Sequence, residues 1–107
     1  MEKRLEIAKN IIMEESAKKG FKVGKIILFG SRARGDYKED SDWDFLIIVN
    51  EELNRKEKRE LSSNIRMKLV YSGLSSDIII ISNKQFLERG NDIGHIVYYA
   101  LKEGLPV

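Results

Sequence analysis

Phe29-Gly30-Ser31-Arg32-Ala33-Arg34-Gly35-Asp36, followed by Ser41-Asp42-Trp43-Asp44 and the apolar run Phe45-Leu46-Ile47-Ile48-Val49, is the stretch on which the reading of this chain turns. An apolar strand closes on Gly-Ser, ten residues intervene, and two aspartates separated by one residue open a second apolar strand. Successive side chains on a strand point to opposite faces, so Asp42 and Asp44 share a face, with Cα atoms roughly 6.5 Å apart, while Trp43 points away. Such a carboxylate pair suits Mg2+, a hard cation that takes oxygen ligands, keeps several waters and is commonly held by one or two carboxylates plus substrate phosphates. Gly30-Ser31 would meet the same ligand from the other side. Glycine lets the backbone approach closely, Ser31 can cap the short helix begun by Arg32-Ala33-Arg34, and a helix N-terminus offers unpaired N–H groups to a phosphate. Together the two halves suit a nucleoside triphosphate carrying Mg2+.

Each half also has a plainer reading. Gly-Ser after a strand is commonly a turn and a helix cap, and Asp-x-Asp at a strand entrance commonly punctuates a loop. The joint pattern is far more specific. Gly30-Ser31-x10-Asp42-Trp43-Asp44 resembles the signature of the polymerase-beta-type nucleotidyltransferase superfamily, and the short length points to its minimal nucleotidyltransferase branch. The resemblance covers essentially the whole chain. It implies an α/β (α+β) nucleotidyltransferase fold, and transfer of AMP from ATP to a hydroxyl, taken to be a tyrosine's, with release of pyrophosphate. It also implies a third carboxylate on a later strand, a position that Asp77 fits in Ser75-Ser76-Asp77-Ile78-Ile79-Ile80-Ile81. Members of this branch are often antitoxins that modify a helical HEPN toxin partner with AMP.

The expected site is therefore Asp42, Asp44 and Asp77 as catalytic carboxylates and ligands of a two-metal Mg2+ centre, with Gly30, Ser31, Arg32 and Arg34 toward the ATP phosphates. Two-metal catalysis stabilises both the attacking and the leaving oxygen of an in-line displacement, with the ions roughly 3.5–4 Å apart. Asp77 could also help deprotonate the acceptor. Read without the resemblance, Asp77 is a polar residue at a strand entrance, and Arg32 and Arg34 are solvated residues of an exposed turn. Asp36 and Asp40 read as turn residues, and Trp43 and Phe45 as core. His95, with Ile96, Val97, Tyr98 and Tyr99, reads as packed or interfacial, because no carboxylate stands at ligand spacing.

At 107 residues the chain is expected to be one domain, residues 1–107, with a single core and no separate acceptor-binding domain. No apolar run approaches the ~18 residues of a membrane span, and Met1-Glu2-Lys3-Arg4 leads into an amphipathic helix rather than a signal peptide. The absence of cysteine excludes disulfides and thiolate metal sites and suits a reducing cytoplasm. A net charge of +2, with 19 Lys and Arg interleaved among 17 Asp and Glu, speaks against a nucleic-acid binder. The cluster Arg55-Lys56, Lys58-Arg59 contains Glu57 and Glu60 and reads as a solvated helix face.

Working outward, Glu2 to Lys19 reads as a helix with an apolar stripe of Leu5, Ala8, Ile11, Ile12 and Met13, ended by Gly20. Val23–Phe29 is the first strand, Ser31 to Arg34 a short helix, and Gly35 to Asp40 a polar loop. Asp42–Val49 is the second strand. A helix runs from beyond Asn54 to Tyr71, with a stripe of Leu61, Ile65, Leu69 and Val70, and Ser72-Gly73 terminate it. Ser76–Ser82 is the third strand. Asn83 caps a short turn through Phe86-Leu87, and Gly90-Asn91-Asp92 lead into a last helix from Ile93 to Lys102, which ends at Gly104. This order predicts a small mixed or parallel sheet of three or four strands with helices. Strands apolar on both faces are normally covered on both sides, and so few helices predict that a second chain, in a homodimer or hetero-oligomer, completes the cover.

Three functions compete. The first is an enzyme transferring a nucleotide to a partner protein. The second is a catalytically silent module that neutralises a helical partner by binding it, a role that does not call for paired carboxylates. The third, a phosphate-loop NTPase suggested by Gly30-x4-Gly35, fails because Asp36-Tyr37 stand where Lys and Ser or Thr are required.

Overall fold

The apolar run after the two aspartates forms strand β2 (Trp43–Val49), an interior strand of a four-stranded sheet. The computed structural model describes residues 2–89 and 96–107. Around β2 the chain order is α1 (Lys3–Lys18), β1 (Val23–Phe29), α2 (Ser31–Arg34), β2, α3 (Arg55–Tyr71), β3 (Ser76–Ser82), α4 (Asn83–Arg89), α5 (Ile96–Glu103) and β4 (Leu105–Pro106). The sheet order is β3-β2-β1-β4. β1 and β2 are antiparallel, β2 and β3 parallel, and β4 antiparallel to β1. The sheet is mixed because the short α2 connection returns the chain beside β1, whereas the long α3 crossover brings β3 in parallel.

Alternation along β2 splits the core in two. Trp43, Phe45, Ile47 and Val49 pack on one face with Ala8 and Ile12 of α1 and Leu61, Ile65 and Leu69 of α3. Leu46 and Ile48 pack on the other with Ile27, Ile81, Phe86 of α4 and Ala100 of α5. β2 is thus apolar on both faces because helices lie on both. Three strands keep their expected bounds except that β2 begins at Trp43, leaving Asp42 just ahead of it.

Several local expectations are corrected. Met13 and Val70 are exposed, because each lies off the stripe that meets the sheet, and Glu15 and Ser16 are buried in their stead. The cap of α4 is Ser82 rather than Asn83: its Oγ accepts from Gln85 N at 3.1 Å and its own N–H donates to Gln85 Oε1 at 3.1 Å. α3 opens with the same device, Asn54 with Glu57. The last helix is described from Ile96, so the expected start at Ile93, the Gly90-Asn91-Asp92 lead and the reading of His95 lie outside the described residues. The residues after it pair as β4, a strand the sequence reading did not place: Pro106 lies opposite Ile27, and Val107 N donates to Ile26 O at 2.9 Å. Gly104 permits this turn, since a Cβ there would collide with Ala100 O and the Ile27 side chain. Proline is tolerated because β4 is an edge strand.

Glu15 ties α1 to α3. Its Oε2 lies 2.9 Å from both Lys18 Nζ and Lys68 Nζ, and these two hydrogen bonds hold its carboxyl below the usual range against the opposing effect of burial. A depressed folded-state pKa contributes stability above the unfolded value and loses it as pH falls through the folded value. Both lysines are partly exposed, so the effect is screened by salt. Glu15→Gln should therefore lower the thermal unfolding midpoint by a few degrees at neutral pH and low salt. In pH-dependent melting curves the gap from wild type should close below the ordinary glutamate value of 4.5.

Candidate active site

Asp44 stands at the mouth of β2, and the strand register decides its neighbours. It lies opposite Phe29 across the β1–β2 pair and opposite Asp77 across the β2–β3 pair. Gly30, next after Phe29, is therefore brought against it from one side and Asp77 from the other. Alternation puts Asp42, Asp44 and Asp77 on the same face as Leu46, Ile48, Ile79 and Ile81, the face that α4 and α5 cover further along.

The approach of Gly30 is close. Its φ is +74°, a left-handed conformation that favours glycine, and a Cβ there would collide with Asp44 Oδ2. Gly30, and not Ser31, is the residue that caps α2, and it does so without a side-chain hydrogen bond. Ser31 is the first helical residue. Its expected capping role is corrected.

The electrostatics of the carboxylates follow from this crowding. Partial burial pushes the Asp44 carboxyl above its usual range, and the charges of Asp77 and Asp42 push it further, with the Arg34 guanidinium partly opposing them. Asp42 and Asp77 are exposed and Asp44 half-buried. Among the described residues no group of three or more acidic, histidine or cysteine side chains is gathered closely enough to enclose an ion unaided. The arrangement is an acidic rim whose repulsion, centred on Asp44, Arg34 relieves only in part. Mg2+ fits such a rim, because one or two carboxylates suffice when substrate phosphates supply further oxygens.

The two arginines divide. Arg32 is 8% exposed, and its guanidinium donates to Glu39 O and Ser41 O at 3.0 Å while lying 4.4 Å from the Tyr37 ring centre and 4.5 Å from that of Trp43. These contacts fix the loop that leads to Asp42, and they correct the expectation that Arg32 reaches the phosphates. Arg34 is exposed, bonded to Glu103 at 3.2 Å and to Asp36 at 3.5 Å, and near enough to act on Asp44. Sequence reading also missed Ser75, whose hydroxyl donates to Asp42 Oδ1 at 2.6 Å. Its only signal was its place two residues ahead of Asp77, and its meaning depended on the β2–β3 register.

Carboxylates at the mouths of two parallel strands, set beside a glycine turn, suit the chemistry of phosphate transfer. The nucleotidyltransferase domain family matches residues 11–105. A candidate protein adenylyltransferase of Methanocaldococcus jannaschii, MJ0141, is 43% identical over 76 residues, 71% of this chain and 73% of that protein. Among solved structures, a candidate minimal nucleotidyltransferase superposes with a TM-score of 0.61 at 25% identity, over 96% of this chain and 92% of the other. The MNT antitoxin complex with a tri-AMPylated HEPN toxin of Shewanella oneidensis matches with a TM-score of 0.58 at 17% identity, over 94% of this chain and 69% of that one, a likeness of fold. The chain belongs to the nucleotidyltransferase domain family.

Two outcomes test this geometry. Because the folded-state pKa of Asp44 is raised, its ionised form costs stability that protonation restores as pH falls through that value. Asp44→Asn should melt higher than wild type at neutral pH, and the difference should vanish below the ordinary aspartate value of 3.8 in melting curves recorded against pH. Arg32→Lys keeps the charge but loses the planar fork and ring stacking, and should cost about 1–3 kcal/mol by chemical denaturation.

Proposed function

We propose that this enzyme transfers AMP from Mg-ATP to a hydroxyl of a partner protein, a tyrosine of a helical HEPN toxin, and so acts in the cytoplasm as its antitoxin. The observation that carries the reading is the pairing of Asp44 with Asp77 directly beside the Gly30 turn, one side suited to an acceptor and the other to phosphates. The candidate role of the M. jannaschii relative in protein adenylylation and the AMPylated HEPN toxin of the S. oneidensis complex support it. So do the exposed Met67, Val70 and Tyr71 on α3, which leave apolar area for a partner, whether toxin or second copy. Among the described residues no helix is long and apolar enough to cross a membrane.

In this mechanism Gly30-Ser31 receive the triphosphate, since glycine allows close backbone approach and the first N–H groups of a helix lack intrahelical partners. Arg34 can exchange Glu103 for a phosphate oxygen. Asp42, Asp44 and Asp77 would hold magnesium, which when bound relieves their repulsion and stabilises negative charge on the phosphate oxygens. Asp77, on the outer strand, faces the acceptor. The acceptor oxygen bonds to the α-phosphorus, the α–β bridging bond breaks, pyrophosphate leaves with that electron pair, and the acceptor proton passes to the Asp77 carboxylate.

ATP labelled at the α- or the γ-phosphate, incubated with the protein, Mg2+ and a HEPN partner, tests the reading. Label from the α position should enter the partner, and the double variant Asp42→Asn, Asp44→Asn should abolish it while staying folded. Transfer from the γ position alone would make the protein a kinase-like enzyme. Complex formation without label would make it a silent binding module.

A further inference from the structure

We propose that Ser75 is a positioning residue that orients Asp42 for metal, an inference that rests on the reading of Asp42 as a magnesium ligand. Asp42 lies ahead of β2, outside the strand ladder that holds Asp44, so its own backbone does not fix its carboxylate. Two groups do so. Arg32 Nη2 and Nε hold the carbonyl of Ser41, the preceding residue, and the Ser75 hydroxyl holds Asp42 Oδ1 at 2.6 Å. With Oδ1 engaged by the hydroxyl, Oδ2 remains to serve a metal. A hydroxyl donor of this kind limits rotation of the aspartate and spares it from turning away from the negative charges of Asp44 and Asp77. Ser75 itself is exposed and has no place in the core. Its structural duty is carried by its backbone carbonyl, which accepts Trp43 N–H at 2.9 Å and survives any side-chain change.

The role separates from mere stability by variants that keep or delete the hydroxyl. Outer groups that orient metal ligands typically contribute about 10- to 100-fold in metal affinity. Calorimetric titration of ATP into the protein at graded Mg2+ should show Ser75→Ala needing about tenfold more Mg2+ for half-maximal binding. Ser75→Thr, which retains the hydroxyl, should stay near wild type, and metal-free melting curves of all three should coincide within a few degrees. Unchanged Mg2+ dependence in Ser75→Ala, or a Thr variant as impaired as Ala, would overturn the positioning role while leaving the metal site standing. A wild type whose ATP binding ignores Mg2+ would overturn the metal reading, and the role of Ser75 with it.

Discussion

A half-buried carboxylate at the mouth of an apolar interior strand is the constraint around which this molecule is arranged. β2 must be covered on both faces, so it lies inside the sheet with β1 on one side and β3 on the other. That position gives Asp44 two close neighbours, Asp77 and the Gly30 turn. The repulsion that results is kept because β2 is pinned by two core clusters and cannot slide: a shift by one residue would exchange every side chain between faces. Stability invested in the hydrophobic layers thus maintains an acidic rim that would otherwise relax.

The polar chemistry is graded by distance from this point. Arg32, buried beside two aromatic rings, serves the loop and not a ligand. Arg34, two residues on and on the solvent side, has exposed ion pairs with Asp36 and Glu103, each worth little in water and therefore exchangeable. Helix geometry separates the two: residues two apart cannot share a face of a helix. One arginine became scaffold and the other stayed available, although the sequence offers the same side chain at both positions.

Much was legible because it depends on short-range periodicity. The strand bounds Val23–Phe29 and Ser76–Ser82, the short helix from Ser31 and the assignment of Trp43 and Phe45 to the core all follow from alternation and turn residues within one element. What failed depended on partners remote in sequence. Val70 looks like a continuation of the Leu61, Ile65, Leu69 stripe, but the sheet meets only the narrower face. Glu15 is buried because Lys68 reaches it from α3. β4, two residues containing a proline, exists only because β1 presents a free edge at Ile26–Leu28.

The sequence by itself marked the candidate site residues: a glycine turn, two aspartates at alternate positions and a third ahead of an isoleucine run, all of them local patterns. Tertiary structure alone decided how they meet. The pairing of Asp44 with Asp77, the contact of Gly30 with Asp44 and the bond from Ser75 to Asp42 are set by strand order and register, which arise from burying β2 on both faces and not from any residue's own preference.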